Sequence, residues 1–387
     1  MNLLRKIILL FLIASIEVTA ADFRQIPDSE PFIIGVYSAD PWNDATMQTL
    51  QDAGVNYVHS YSMWRDENPL PELDLAHKYK MKVMYDIGGL ALSSRPATQV
   101  PDWRERISRN LAQVANHPAV GMIYLWDEPY DQHMAKVVEL RRIAASRAKQ
   151  PNALVIHWRT NWENTRNHSD IWMVDWYPIR GHKFPEASPL SQINDFVAVA
   201  ARMRMPGSQF IPVLQMNDFS CFKKDVPREL QDFLRYPNIQ EMRHMIIGSL
   251  TFGVRGIFFF SYHHAHLDRP AGQVYWQKVF KPLIAELKML EKALPRLWEP
   301  TGWCYDFNKN HQVHLAYFQR ESGSFILLNN SSDQKRVLEL PMRAIPHAPQ
   351  QGRLIPFGLT ALKAAEISQG KLRVEAEPWE SFIWQVE

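Results

Sequence analysis

The feature that most constrains this chain is an alternation. Eight short apolar runs with strand character fall between residues 31 and 262, and helical stretches separate nearly all of them. The runs cover 31–37, 56–61, 82–87, 121–129, 153–158, 171–177, 210–215 and 256–262. Helical patterning occupies 46–53, 70–79, 103–116, 133–149, 190–205, 238–252 and 274–294. Ile107, Leu111 and Val114 show the pattern well, recurring at the spacing of one helix face. Gly54 and Gly253 follow two of these stretches, where a helix is commonly stopped. Strand–helix repetition of this kind over about 270 residues predicts an α/β protein, a (β/α)8 TIM barrel spanning 30–298. A doubly wound open sheet would want a glycine-rich phosphate loop after an early strand, and the sequence has none. Beyond residue 300 the texture changes. Short strand-like runs at 313–318, 325–328, 337–340, 372–376 and 382–386 are divided by turn clusters such as Asn329-Asn330-Ser331-Ser332. These predict a small C-terminal antiparallel β-domain, sandwich-like, over 300–387.

The first twenty residues have the form of a signal peptide. Arg5 and Lys6 precede an apolar stretch at 7–16, and Val18-Thr19-Ala20 supplies a small-residue cleavage site. That stretch is too short to span a membrane. The expectation is a secreted or periplasmic protein with no membrane association beyond its leader. A net charge of +2 gives no electrostatic case for nucleic acid. Outside the cytoplasm Cys221 and Cys304 could pair, or stand as two unpaired thiols. No metal-ligand spacing such as H-E-x-x-H occurs, so neither metal nor cofactor is expected. The Tyr262-His263-His264-Ala265-His266 run has a metal-tract composition, but it follows a strand into a loop without a carboxylate pattern.

In a parallel barrel, chemistry is done at the carboxyl ends of the strands. Those ends carry Tyr37 and Asp40, then Tyr61, Asp86, Trp126 with Asp127 and Glu128, His157 and Arg159, Asp175 and Tyr177, Gln215 and Asn217, and Tyr262. Nearly all are polar or aromatic. The fourth run, Gly121-Met-Ile-Tyr-Leu-Trp-Asp-Glu-Pro129, ends in two adjacent carboxylates and a proline that cannot continue a ladder. Simple alternation puts Tyr124, Trp126 and Glu128 inside the barrel and Asp127 on the parity of Ile123 and Leu125. Glu128 is therefore the candidate proton donor. Asp127 is either a supporting carboxylate or a helix cap. Asp175 is the candidate second carboxylate. Two carboxyls, one holding a proton and one ionised, are what glycosidic bond cleavage commonly requires. The remaining strand-end residues are candidates for substrate binding. Aromatic residues make up 12% of the chain, a supply of rings that stack on sugar faces or fill a barrel core.

These motifs carry a resemblance. The chain resembles clan-A-type glycoside hydrolases, (β/α)8 enzymes with an acid/base Glu in an N-E-P run closing strand four; here the run reads Asp127-Glu128-Pro129. More closely, it is similar to a group of secreted bacterial proteins with glycosidase-like barrels. They share that D-E-P end, a D-x-Y-P end (Asp175-Trp176-Tyr177-Pro178), a Gln at strand seven (Gln215), and an R-x-P…E-x-R segment (Arg235, Pro237, Glu241, Arg243). The last reads as a structural ion pair near a helix. The resemblance implies a carbohydrate substrate and carboxylate catalysis. It also exposes a departure: where clan A keeps a nucleophilic Glu at strand seven, this chain has Gln215. The alternative is a non-catalytic carbohydrate-binding barrel.

Overall fold

The computed structural model describes residues 23–61, 68–90, 102–157, 162–179, 190–226, 228–305, 313–359 and 363–387. The expected leader lies outside them. Eight strands close a parallel barrel: β1 (Ile33–Val36), β2 (Tyr57–Val58), β3 (Lys82–Asp86), β4 (Val120–Asp127), β5 (Asn152–Ile156), β6 (Ile171–Asp175), β7 (Gln209–Gln215) and β8 (Gly256–Phe260), which pairs back onto β1. Around it run α1 (Asp44–Asp52), α2 (Leu70–Lys78), α3 (Trp103–Val114), α4 (Met134–Arg147), α5 (Trp162–Thr165), α6 (Ser191–Met203), α7 (Ile239–Leu250), α8 (Pro270–Tyr275) and α9 (Lys281–Ala293). The short α5 sits between β5 and β6, where the sequence shows no helical period.

The period-two alternation of the strands sorts their side chains into two cores. Ile33, Tyr57, Met84, Met122, Tyr124, Val155, Met173, Ile211 and Phe258 fill the barrel interior. Their neighbours, among them Ile34, Val83, Ile123, Leu154 and Val174, face the helices in a second, larger cluster. Each large apolar side chain buried this way contributes about 1.5–3 kcal/mol. Gly121 lets the interior close, because a Cβ there would come within 2.6 Å of the Tyr57 ring.

The amino end of the barrel is plugged. Ile26 of the segment before β1 enters the interior cluster, and its backbone N–H donates to Gln209 at 2.8 Å. Arg255 donates to the carbonyls of Pro27, Glu30 and Pro31 at 2.9–3.0 Å. Chemistry is thereby left to the other face.

The C-terminal strands β9 (Gly302–Tyr305), β10 (Val313–Arg320), β11 (Gly323–Asn330), β12 (Arg336–Pro341), β13 (Gly352–Pro356), β14 (Ala365–Ser368), β15 (Lys371–Ala376) and β16 (Ser381–Val386) form one antiparallel sheet, not two stacked ones. The sheet curls on itself, so that Leu338 and Leu340 near one edge share a core with Val313 and Leu315 near the other. The opposite faces of β10, β11 and β16, with Phe318, Phe325, Leu327 and Ile383, join the barrel's outer cluster. At this junction Arg243 of α7 donates to both carboxyl oxygens of Glu286 at 2.8 and 2.9 Å and to the Ser381 carbonyl. The R-x-P…E-x-R segment proves structural here. Arg235 grips Glu241 through two bonds of 2.7 Å, and Glu241 also accepts from the Asn238 backbone N–H in the capping box of α7.

Among the described residues no helix is long and apolar enough to cross a membrane. Cys221 is a free thiol, and burial followed by the Asp218 charge pushes it up to about 12.

Candidate active site

The end of β4 departs from simple alternation. Its pairing with β5 slips between Tyr124 and Trp126, so Leu125 is an extra residue in the strand. Such a bulge turns the following side chains over. Trp126 consequently lies in the outer core, 1% exposed and stacked on His133 at 5.1 Å, not inside the barrel as alternation predicts. Asp127 moves to the inner side. Its carboxylate accepts from Tyr124 at 2.7 Å and from Tyr61 at 3.0 Å. Burial and then the Asp127 charge hold both phenols well above their usual range, which keeps them neutral donors. The cap reading of Asp127 falls away with this geometry. Gly88 supports the bulge: a Cβ there would lie 2.4 Å from the Leu125 carbonyl oxygen.

Glu128 follows in the left-handed region, with φ 48°. A non-glycine residue there is strained and persists only when its surroundings fix it. Two ties do so: its backbone N–H donates to Val155 at 3.1 Å, and Pro129 follows. The turn carries the carboxyl into a cavity of about 430 Å³ at the carboxyl end of the barrel. Tyr37, Tyr61, Asp127, Glu128, Asp175 and Tyr177 line it, as do several residues the strand-end pattern passed over: Tyr130, Val155, Val213, Phe222 and Phe260. Phe222 lies on a loop after β7 and stacks with Tyr177 at 5.9 Å and Phe260 at 6.0 Å. Nothing in its local sequence marks it. Val155 and Val213 read only as core residues.

Glu128 faces Asp175, which ends β6 and is 3% exposed. Burial, then the Asp175 and Asp127 charges, then a hydrogen bond to Asp175, hold the Glu128 carboxyl well above the ordinary carboxylate range. Of the two, Glu128 is the carboxyl its surroundings dispose to hold a proton. Like charges this close do not both ionise in a poorly solvated site. His157, just past β5, stacks on Trp176 at 5.0 Å, and its Nδ1 lies 3.2 Å from the Asp175 carbonyl and 3.4 Å from Asp175 Oδ1. Glu128, His157 and Asp175 each offer one ligand atom within 4.8 Å of the others, an arrangement able to hold a metal ion. No sequence spacing announces it, because the three come from three strands.

Other predicted site residues serve the scaffold. Gln215 is fully buried, accepts from the Ile179 N–H at 2.8 Å and donates to the Ile179 carbonyl at 2.6 Å, which latches the chain beyond β6 to β7. Asn217 accepts from Phe219 N–H at 2.7 Å and donates to the Phe260 carbonyl at 3.0 Å. Asp86 accepts from Gly89 N–H at 3.1 Å. Asp40 accepts from Ser60 Oγ at 2.8 Å. Tyr262 turns outward against Trp276 at 5.7 Å. None of these five lines the cavity. Arg159 lies outside the described residues.

A closed parallel barrel with carboxylates at its carboxyl-end mouth is the architecture of (β/α)8 glycoside hydrolases, and comparison with solved structures bears out that fold. A glycoside hydrolase family 5 protein from Bacteroides vulgatus superposes with a TM-score of 0.64 at 14% identity, covering 92% of this chain and 89% of its own. An alpha-amylase from Geobacillus thermoleovorans, solved with acarbose, gives 0.59 at 11% identity over 94% and 99%. The maltogenic alpha-amylase AmyB of Thermotoga neapolitana gives 0.55 at 9% over 92% and 98%. The chain therefore shares the closed (β/α)8 barrel fold of these glycoside hydrolase structures. No family model matches it, and no curated protein does.

Proposed function

We propose that this protein is a glycoside hydrolase acting outside the cytoplasm on an oligo- or polysaccharide. The observation that carries the reading is the Glu128–Asp175 pair: two carboxyls lining one cleft, with burial and neighbouring charge raising Glu128. A carboxyl still protonated near neutral pH can give its proton to a leaving glycosidic oxygen. Asp175 is the second carboxyl, the base or the nucleophile. Asp127, pinned by two phenols, accepts hydroxyls of the sugar, and Tyr177, Phe222 and Phe260 offer it stacked rings. The neighbouring structures, two of them alpha-amylases, support a carbohydrate ligand. The signal-peptide form of residues 1–20 supports export.

A second reading has its own observation. At the end of β7, where clan A keeps its nucleophile, Gln215 is a buried backbone latch. A barrel that lost catalysis and kept carbohydrate binding would look the same there. Hydrolysis of an oligosaccharide panel by the mature protein, beside Glu128→Gln, separates the two. Turnover that the variant loses establishes the glycosidase. Saturable sugar binding by both forms with no turnover by either leaves the binding barrel.

A further inference from the structure

We propose that Glu128, His157 and Asp175 also form a binding site for one divalent transition-metal ion of the zinc class. The three side chains stand at the ends of the consecutive strands β4, β5 and β6, with their ligand atoms within 4.8 Å of one another. Ions of this class are held by nitrogen and oxygen ligands at about 2.0–2.2 Å, so ligand atoms around them lie roughly 3–3.6 Å apart. The cluster needs only a small contraction to reach that geometry.

A separate observation points to a missing ligand. Asp175 is 3% exposed, yet among the described residues no N–H or O–H group donates to its Oδ1. His157 Nδ1 is 3.4 Å away and not aligned to donate. Buried carboxylate oxygens ordinarily have donors. No Lys or Arg lines the cavity among the described residues to supply the charge. One imidazole with two carboxylates suits zinc, manganese or iron(II), and the usual affinity order puts zinc ahead of manganese. His157 is held in place, with Nδ1 3.2 Å from the Asp175 carbonyl and its ring face on Trp176.

An ion held there would engage the Glu128 carboxyl. An occupied cluster has no acid, so under the glycosidase reading the ion blocks turnover. Binding itself does not rest on that reading.

The test is isothermal titration of the chelator-stripped mature protein with Zn2+ and, separately, Mn2+. One zinc per chain is expected, bound more tightly than manganese. Asp175→Asn and His157→Ala should each weaken it by at least about tenfold, with unchanged circular dichroism melts showing that both still fold. Glu339→Gln, on the exposed face of β12, should leave it unchanged. No uptake by the wild-type protein, or uptake that Asp175→Asn and His157→Ala leave untouched, overturns the site. Uptake with no turnover of any glycoside upholds it while sinking the glycosidase reading; turnover with no uptake does the reverse.

Discussion

Two buried charged clusters in this molecule are built to opposite ends. At the junction of barrel and C-terminal sheet, Arg243 and Glu286 are both buried, at 8% and 2% exposed. Every demand there is met. The guanidinium makes two bonds to the carboxylate and one to the Ser381 carbonyl, and the carboxylate also receives the Leu359 N–H at 2.7 Å. At the mouth of the barrel, Asp127, Glu128 and Asp175 converge with no described Lys or Arg among them. Buried charge is costly when unpaired. A fold that solves the problem at one place and leaves it standing at another, across a strained Glu128, is holding the second cluster for something other than stability.

The sharpest way to test that contrast is to remove the acid. Glu128→Gln keeps the shape and loses the proton donor, so turnover should fall by about 10²–10⁴-fold, the usual contribution of a general acid. Measured kcat on any substrate found in the panel checks this. A loss of twofold or less would mean that the unsatisfied cluster is not the catalytic one.

The junction should answer differently. Arg243→Ala leaves Glu286 as an uncompensated buried charge and should cost about 3–5 kcal/mol of stability. Urea denaturation reads it directly. If the variant is as stable as the wild type, the pair is not the satisfied half of the comparison.

The pH dependence of stability separates the clusters further. Glu128 is raised in the folded state, so above the ordinary glutamate value near 4.3 the folded protein binds more protons than the unfolded one. Stability from this group is fully present below that value and is lost as pH rises toward the folded pKa. Glu128→Gln should flatten the decline and be the more stable form at pH 8–9, as unfolding midpoints across pH 5–9 would show. A variant that declines as steeply as the wild type would move the raised carboxyl elsewhere.

How much of this was legible in the sequence follows the same division. The barrel could be read because burial on both strand faces and helical spacing outside are local signals, repeated eight times. The C-terminal strands were legible as strands, but their closure into one curled sheet depends on pairing between distant segments. The carboxylates Glu128 and Asp175 could be picked out because strand ends are where barrels work. Trp126 could not be placed, because the extra Leu125 shows only in the pairing of β4 with β5 and one inserted residue reverses every parity after it. Gln215 looked like a ligand-facing amide. What decides its role is the backbone of Ile179, thirty-six residues earlier. The Glu128–His157–Asp175 cluster was hidden for the same reason: closure of the barrel, not spacing along the chain, brings its members together.

The smallest expected effect concerns Tyr130, which the strand-end pattern also passed over. It lies two residues beyond the proposed acid, lines the cavity and is 54% exposed, with its ring 5.8 Å from His133. A large exposed ring at the mouth contributes little to the fold, so its place beside the proton donor is better explained by contact with the leaving-group side of a sugar chain. An aromatic contact of this kind is worth about 0.5–1.5 kcal/mol, so Tyr130→Ala should raise KM for an oligosaccharide by about 2- to 12-fold. It should leave kcat within about twofold, since binding lost equally from ground state and transition state does not change the chemical step. A substrate with a small leaving group reaches no such contact and should be turned over by variant and wild type alike. If kcat falls instead, with KM unmoved, Tyr130 belongs with the machinery around Glu128. The boundary between the strained cluster and its substrate-facing rim would then lie farther out than the cavity places it.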